Sequence, residues 1–360
     1  MSKAAELAAL IGSQSALSNR NLIINGAMQV AQRGTSHAAL SGYGLDRFKA
    51  SSSSDGAVTV TQSTTVPSGE GFKNSMKFDV TTADTSLSAS QYYQFFQPIE
   101  GQNFAHLMFG TSDAKSVTLS FWCRSNKTGT YVTTFMNSAA NRFNPNNFTI
   151  NSANTWEKKT ITVTGDQSGT WLTTNGIGIY VIWNLALGSD FDDGTNGTWG
   201  AGDYGSGGNV NFLDSTSNEF YITGIQLEIG EQATPFEHRS FGDELLACQR
   251  YYEHTYPYGT APGAANGGIG ADHRYVGRET ASNYGYYTAH YRVEKRAAPT
   301  VTVYSYAGTA NQISHGDTGG DSGAVGVIQS GTTSFLPRNT SGSGVSARAL
   351  MYHFKADAEL

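Results

Sequence analysis

The most regular feature of the sequence is an alternation of apolar and polar residues over short segments. It is clearest at 116–125, SVTLSFWCRS, where one face carries Val117, Leu119, Phe121 and Cys123, and the other carries Thr118, Ser120, Trp122 and Arg124. Such alternation is typical of a β-strand with one buried face. Further strands are predicted at 21–29, 43–51, 56–64, 74–82, 90–99, 128–136, 155–165 and 175–185. Because no long helix separates them, they indicate a β-sandwich or jelly roll.

The segment 220–241, FYITGIQLEIGEQATPFEHRSF, is predicted to close this domain and lead into the next. One face of its strand is predicted to carry Tyr221, Thr223, Ile225, Leu227 and Ile229, and the other Gly224, Gln226 and Glu228. Gly230 is expected to end the strand, and Pro235 prevents its continuation because proline has no N–H to donate. Phe236 and Phe241 are therefore placed at or beyond the domain boundary.

The pattern predicts an all-β protein with a short N-terminal helix, a jelly-roll β-sandwich and a smaller C-terminal β-sandwich. The predicted divisions are an anchoring helix at 1–20, the jelly roll at 21–235, a hinge at 236–254 and a β tip domain at 255–360. Short helices are predicted at 100–110 and 242–254, and C-terminal strands at 284–295, 300–306, 324–330, 332–337 and 346–357. The N-terminal helix has a narrow apolar stripe of Leu7, Leu10 and Ile11. Since three turns are only marginally stable alone, this stripe is expected to pack on a partner or a symmetry mate.

Composition narrows the class of function. The 360 residues include 42 glycines, 14% charged and 12% aromatic residues, and the net charge is −6. A low charge content with many β-forming residues indicates a folded β protein, and the negative charge argues against nucleic-acid binding. Cys123 and Cys248 have no spacing typical of a disulfide framework or a zinc site, so two buried free thiols are expected. The sequence has no apolar run long enough to span a membrane and no secretory signal, which predicts synthesis in a cytoplasm.

Motifs for enzymatic chemistry are missing from the sequence. It has no P-loop, HExxH or GxSxG motif, so no enzyme and no cofactor are predicted. A glycosidase built from two carboxylates brought together by folding stays an alternative. The acidic cluster of Asp190, Asp192, Asp193 and Asn196 is compatible with Ca²⁺ or with a solvated loop, and its spacing does not match an EF-hand.

Aromatic residues in polar or glycine-rich surroundings are the candidate ligand contacts, because the apolar face of a sugar stacks on an aromatic ring while its hydroxyl groups form hydrogen bonds. They are Trp122 on the polar side of its strand, Trp199 and Tyr204 in the long loop 187–217, and Tyr256 and Tyr258 in a second glycine-rich loop. Packing against neighbouring segments is the alternative for each of them. The remaining tryptophans, Trp156, Trp171 and Trp183, are predicted to lie in the core or at its rim.

Several stretches resemble tail-fibre and related virion-appendage proteins of tailed bacteriophages. They are NRNLIINGAMQVAQRGTS (19–36), GLDRF (44–48), the segment 99–125, the segment 220–253, RAAPTVTVYS (296–305) and YHFKADAEL (352–360). The most specific part is QLEIGEQATPFEHRSFGDELLACQRYYE. The resemblance implies a structural virion protein, commonly a homotrimer, whose N-terminal segment attaches to other virion proteins and whose distal part faces the host.

The first domain also resembles carbohydrate-binding modules with a jelly-roll fold. In that family an acidic residue near the start of the domain and an Asp pair on the closing strand commonly help to hold a structural Ca²⁺. Gln29, Thr223 and Gly224 occupy those positions here, so the charged ligands are replaced by neutral residues. Neither the calcium nor carbohydrate binding is therefore carried over from this resemblance.

These observations predict a non-enzymatic tail or head fibre that adheres to host surface glycan, located on the virion and made in the host cytoplasm. A homotrimer is expected, without nucleic-acid binding and without membrane insertion. Two alternatives stay open, a capsid decoration or connector protein that binds no receptor, and a polysaccharide depolymerase.

Overall fold

A computed structural model of the chain describes residues 19–265, 274–275, 288–315, 321–339 and 350–360. The predicted N-terminal helix, with Leu7, Leu10 and Ile11, lies outside the described residues. By its internal contacts the chain divides into two compact units. The first includes the chain up to Val30, Thr35–Phe241 and Leu360, and the second consists of Ala31–Gly34 and Gly242–Glu359.

The first unit is a β-sandwich of two antiparallel sheets. Its strands are β1 (Ser36–His37), β2 (Gly42–Tyr43), β3 (Lys49–Ser52), β4 (Ala57–Ser63), β5 (Ser75–Thr82), β6 (Tyr92–Glu100), β7 (Val117–Ser125), β8 (Gly129–Asn137), β9 (Phe143–Ile150), β10 (Glu157–Val163), β11 (Ile177–Leu187) and β12 (Glu219–Ile229). Sheet I has the order β1-β4-β5-β12-β7-β10, and sheet II has the order β2-β3-β6-β11-β8-β9. The predicted all-β jelly-roll sandwich is confirmed.

Aromatic side chains fill the space between the two sheets. Phe95 of sheet II stacks on Trp183 with ring centres 5.2 Å apart, and it contacts Phe78 of sheet I at 4.4 Å. Phe121 of sheet I meets Trp183 edge-on at 5.8 Å. All four side chains are buried. Because each large aromatic residue removes a wide apolar area from water, this cluster is a main source of stability for the sandwich.

A β-bulge at Gly224 changes which side chains of β12 enter the core. The pairing of β12 with β7 shifts register between Thr223 and Gln226, and Gly224 has φ +64°. Before the bulge Phe220 and Ile222 face the core, while Tyr221 lies against Arg124 on the outer face. The prediction that Tyr221 and Thr223 share a face with Ile225 was therefore wrong. One extra residue in a strand reverses the alternation beyond it.

Two other local predictions were wrong. Residues 21–29 form no strand, because Asn25 and Met28 adopt φ values of +62° and +55°, and the Asn25 side chain binds Val30 at both its N–H and its C=O. The strand β9 was not predicted, since Pro145 lies within it. Proline is tolerated there because β9 is the edge strand of sheet II.

The turn from β9 to β10 is organised by Glu157. Its Oε1 accepts hydrogen bonds from the N–H groups of Asn151 and Ser152, both at 2.9 Å, and its Oε2 accepts from Lys159 Nζ at 2.5 Å. Burial acts to raise the pKa of Glu157, but these donors outweigh it and lower the pKa to about 2. The carboxylate therefore stabilises the turn in its charged form.

The helical segments are short. The predicted segment 100–110 contains α1 (Gly101–Phe104) and one 3₁₀ turn (Ala105–Leu107). The second predicted helix, 242–254, is α2 (Phe241–Gln249), and the rest of that segment is the strand β13 (Tyr252–His254). Tyr252–His254 leaves the helical conformation because it pairs with the last strand of the chain. Among the described residues, no helix has the length and apolar content to cross a membrane.

The second unit contains two smaller sheets. Besides β13 its strands are β14 (Arg274–Tyr275), β15 (Ala289–His290), β16 (Thr300–Tyr304), β17 (Gln312–His315), β18 (Asp321–Ser330), β19 (Ser334–Asn339), β20 (Leu350–Met351) and β21 (His353–Asp357). The sheets have the orders β13-β21-β16 and β14-β20-β17-β18-β19-β15. Their core includes Tyr291, Phe335 and Phe354, and a buried Lys295–Glu253 ion pair of 2.6 Å lies within the unit.

Candidate functional site

The outer face of sheet II is unusually apolar for a surface of a sandwich. Phe96, Met136, Phe143 and Ile182 form one cluster there. They alternate along their strands with the residues that fill the core, as Phe96 does with Phe95 and Ile182 with Trp183. Because successive side chains of a strand point to opposite faces, these residues lie on the side of sheet II away from sheet I.

Three half-buried tyrosines lie on this apolar base. Tyr180 meets Phe96 edge-on with ring centres 5.6 Å apart, Tyr204 meets Phe143 at 5.2 Å, and Tyr92 stacks against Tyr204 at 6.4 Å. Burial raises the pKa of Tyr180 and of Tyr204, and the neighbouring Tyr92 and Tyr180 raise that of Tyr204 further, so these two phenols stay neutral at physiological pH. We call Tyr92, Tyr180 and Tyr204 the tyrosine platform.

Two buried amides accompany the tyrosine platform. Gln94 and Asn184 are directly paired between β6 and β11, on the same outward face as Tyr92 and Tyr180. Gln94 Oε1 and Asn184 Oδ1 have no hydrogen-bond partner among the described residues. A buried acceptor without a partner costs about 1–3 kcal/mol relative to a satisfied one. Such a cost is commonly found where a ligand or an ordered water completes the hydrogen bonding.

The long loop 187–217 is held against the same face. The carbonyl of Tyr204 accepts hydrogen bonds from Asn184 Nδ2 at 3.0 Å and from Thr134 Oγ1. Gly200 pairs with Phe143 on the edge strand β9, with N–H to O=C distances of 2.9 Å in both directions. The sequence predicted that this loop is functional or mobile, and these bonds show how it is anchored to sheet II.

Trp199 of this loop is a packing residue as well as a surface residue. Its Nε1 donates to the carbonyl of Thr164 at 2.7 Å, and its ring meets Trp171 edge-on at 5.3 Å. It also lines a cavity of about 250 Å³ together with Phe143, Pro145 and Asp203. Trp199 and Tyr204 are thus both associated with the outer face of sheet II, on which their neighbour Phe143 lies.

The acidic residues of the loop mainly organise its backbone. Asp192 Oδ1 accepts from Gly207 N–H at 2.8 Å and from Asn209 Nδ2 at 2.5 Å, and Asn196 Oδ1 accepts from Asn147 N–H at 2.8 Å. Burial raises the pKa of Asp203, and the nearby Asp193 and Asp192 raise it further. Among the described residues, no group of three His, Cys, Asp or Glu side chains is arranged to hold a metal ion.

The segment with the most specific family resemblance forms a hydrogen-bonded clasp, defined by Gln226, Glu228, Thr234 and Glu237. Glu228 accepts from Thr234 N–H at 2.9 Å and Gln226 Nε2 at 2.8 Å, and Glu237 N–H donates to Gln226 Oε1 at 2.8 Å. Glu237 also accepts from the N–H of Asn21 at 2.9 Å. Burial acts to raise the pKa of Glu237, but its backbone and arginine donors outweigh it and lower the pKa. The clasp fixes residues 230–239 over the outer face of sheet I.

Trp122 lies beside the clasp, on the outer face of sheet I. It is half-buried and lines a cavity of about 490 Å³ with Lys158, Phe236 and His238. The structure therefore separates Trp122 from Trp199 and Tyr204, whose loop lies against Phe143 of sheet II.

The two candidate tyrosines of the second unit differ in exposure. Tyr256 was predicted as a ligand contact, but the structure buries it and stacks its ring on His353 with centres 4.0 Å apart, so its faces serve packing. Tyr258 is 48% exposed, and its hydroxyl accepts a hydrogen bond from Ala31 N–H at 2.8 Å. Both tyrosines belong to the second unit, and the tyrosine platform belongs to the first.

Sequence reasoning missed Tyr92, Tyr180, Gln94 and Asn184. The sequence did contain a signal for them, because 90–99 and 175–185 were both predicted as strands. In each strand these residues occupy the face opposite to the core residues. Their assembly depends on β6 and β11 being neighbours in sheet II, which is a long-range pairing. Alternation within one strand cannot supply that information.

Comparison with solved structures finds distant similarities. No protein-family model matches the sequence, and no curated protein matches it. The enzymatically active domain of tailspike protein 4 from bacteriophage CBA120 is similar at a TM-score of 0.34 and 13% identity, over 59% of this chain and 22% of that chain. The carbohydrate-binding module TmCBM61, solved with β-1,4-galactotriose, has a TM-score of 0.30 and 11% identity, over 59% of this chain and 100% of that one.

A third solved structure is similar at the same low level. The family 11 carbohydrate-binding module of the Clostridium thermocellum cellulase Lic26A-Cel5E has a TM-score of 0.28 and 12% identity, over 56% of this chain and 98% of that one. Similarities this distant say nothing about function, so the functional argument rests on the residues of this chain.

Proposed function

We propose that this chain is a non-enzymatic glycan-binding protein that serves as an appendage of a tailed-bacteriophage particle. The observation that carries glycan binding is the tyrosine platform on the outer face of sheet II, with the unpartnered amide oxygens of Gln94 and Asn184 beside it. The virion role is supported by the sequence resemblance of segments such as 220–253 to phage appendage proteins.

The chemistry of the platform suits an uncharged sugar. A pyranose ring has an apolar face that packs on an aromatic ring, and its hydroxyl groups need hydrogen-bond partners. Tyr180 and Tyr204 offer ring surface at the site, and both are only half-buried. A sugar hydroxyl, or a water held beneath the sugar, would donate to the amide oxygens and remove the cost of leaving them unpaired.

A glycan array with the full chain tests the binding part. We expect binding to a defined set of neutral surface glycans by the wild type and its loss in Tyr180→Ala. Tyr258→Ala is a matched control, since it removes an exposed tyrosine outside the platform and should leave binding unchanged. Glycan size measured before and after incubation should not change, and shortening of the glycan would favour the depolymerase alternative.

The appendage part of the proposal includes a homotrimer that attaches to other virion proteins through its N-terminal segment. Immunogold electron microscopy of intact particles should place this chain on a fibre whose free end faces the host. Sedimentation should give a trimer at micromolar concentration. Label on the capsid shell, with no effect of the antibody on host adsorption, would contradict the adhesion role and favour a decoration protein.

A further inference from the structure

The cavity beside Trp122 has the size and position of a binding site separate from the tyrosine platform. Its volume of about 490 Å³ is in the range of about 300–1,000 Å³ that ligand pockets commonly have. It lies on the outer face of sheet I, where Trp122 of β7 and Lys158 of β10 are directly paired. The platform lies on the opposite sheet, so one ligand unit cannot occupy both sites.

Two side chains of this cavity, those of Trp122 and Lys158, have no polar or aromatic partner among the described residues. Among the described residues, the side chain of Trp122 makes no hydrogen bond, ring contact or cation–π contact, and Lys158 forms no ion pair. Lys158 is exposed, and Trp122 keeps part of its surface open. An indole without a hydrogen-bond or ring partner and an ammonium without a counter-ion are paired across the two strands and are available to a ligand.

The part of the cavity wall formed by Phe236 and His238 is held by ring contacts and hydrogen bonds. Phe236 meets Phe72 edge-on with ring centres 5.0 Å apart, and His238 lies 4.9 Å from Phe236 and 5.2 Å from Phe72. The clasp holds this segment, because Thr234 is bound to Glu228 at both its N–H and its hydroxyl. The cavity is therefore formed before any ligand enters, which lowers the entropy cost of binding.

The floor of the cavity depends on the bulge in β12. Gly224 lines the cavity at φ +64°, and a Cβ atom there would lie 2.5 Å from Phe72 Cζ. A residue with a side chain would displace the Phe72 ring, which packs against Phe236 and His238. The glycine that shifts the register of β12 is thus also the residue that leaves this space open.

The polar groups around the cavity favour an anionic ligand. Lys158 supplies an ammonium, and the Trp122 indole and the His238 ring supply N–H donors. Glu70 is the one carboxylate among the described lining residues, and it is exposed to solvent. An aromatic face beside a surplus of donors matches a sugar ring that carries a carboxylate.

We infer that the cavity at Trp122 is a second saccharide site and that it takes acidic sugars, with Trp122 stacking on the ring and Lys158 pairing with the carboxylate. The inference concerns sheet I alone. It holds or fails independently of neutral-glycan binding on sheet II, so the two sites can be tested separately in one chain.

Isothermal titration of the full chain with trigalacturonic acid, and with its uncharged counterpart galactotriose, tests the inference. We expect the wild type to bind the acid more tightly than the neutral sugar at this site. Lys158→Gln should weaken acid binding about tenfold, as loss of one charge-assisted hydrogen bond of about 1.4 kcal/mol implies. Lys115→Gln, which removes another exposed lysine of the first unit, should have no effect.

Aromatic variants locate the ligand. Trp122→Ala should abolish acid binding, and Trp122→Phe should retain it in part, which separates loss of stacking from loss of folding. Tyr180→Ala should leave acid binding intact even if it removes neutral-glycan binding. The inference is overturned if trigalacturonic acid does not bind, if Trp122→Ala and Lys158→Gln bind it like the wild type, or if Tyr180→Ala abolishes it.

Discussion

Replacing Gly224 with alanine tests how much the bulge in β12 contributes to the first unit. At φ +64° an alanine is expected to cost about 1–2 kcal/mol of backbone strain. The new Cβ would also lie 2.5 Å from Phe72 Cζ and 3.0 Å from Cε2, so the ring must move. Phe72 is buried against Phe236 and His238, and an off-rotamer shift of such a side chain costs about 0.5–1.5 kcal/mol. The expected loss of stability is about 2–3 kcal/mol.

Urea unfolding followed by tryptophan fluorescence measures this loss in the first unit alone, because all five tryptophans precede its boundary at Phe241. Gly208→Ala is the matched control. It has a similar φ of +76° and no atom within 4 Å of the added Cβ, so it should cost only the backbone strain of about 1–2 kcal/mol.

A second substitution isolates the contact with Phe72. Phe72→Leu removes the ring atoms nearest to the new Cβ, so Gly224→Ala should be less costly in that background than in the wild type. The reasoning is refuted if Gly224→Ala costs no more than Gly208→Ala, or if the cost is the same with Phe72 and with leucine.

Three further predictions concern charge and burial. The folded-state pKa of Glu157 is depressed to about 2, so the stability that its carboxylate contributes is complete above about pH 4.5 and is lost as the pH falls toward 2. Glu157→Gln should therefore lower the free energy of unfolding in urea by about 2 kcal/mol at pH 7 and by about nothing near pH 2. Lys295→Met should lower the calorimetric melting temperature of the second unit, since it removes the ion-pair partner of the buried Glu253 at a cost of about 3–5 kcal/mol. An unchanged transition would contradict this. Burial raises the pKa of the Cys123 thiol to about 12, so a thiol reagent should label it only after denaturation, and fast labelling of the native chain would contradict its burial.

Local alternation was sufficient to predict most of the first unit. The strand β7 was predicted with the correct faces, because Leu119 and Phe121 enter the core while Trp122 lies outside it. The same reasoning failed where one residue interrupts the pattern. At Gly224 the alternation predicts a continuous strand, but the strand contains a bulge. At Pro145 the proline argued against a strand, but β9 forms there because it is an edge strand.

The candidate site was less predictable than the fold, for a physical reason. Tyr204 was predicted from its glycine-rich surroundings and does lie on the outer face of sheet II. Tyr92 and Tyr180 were missed because they come together only when β6 and β11 pair across about 90 residues of chain. The sequence of segment 220–253 indicated a family resemblance but not a structural role. Its role as a clasp through Glu228 and Glu237 follows only from the hydrogen bonds of the folded chain.

The central claim is that the tyrosine platform binds glycan. The most direct measurement is the equilibrium affinity of the full chain for its best array glycan, compared between wild type, Tyr180→Ala and Tyr258→Ala, each checked for folding by calorimetry. Loss of one stacking ring is expected to weaken binding about tenfold in Tyr180→Ala, while Tyr258→Ala matches the wild type. A glycan that binds Tyr180→Ala as tightly as the wild type, or the absence of any bound glycan, would contradict the claim.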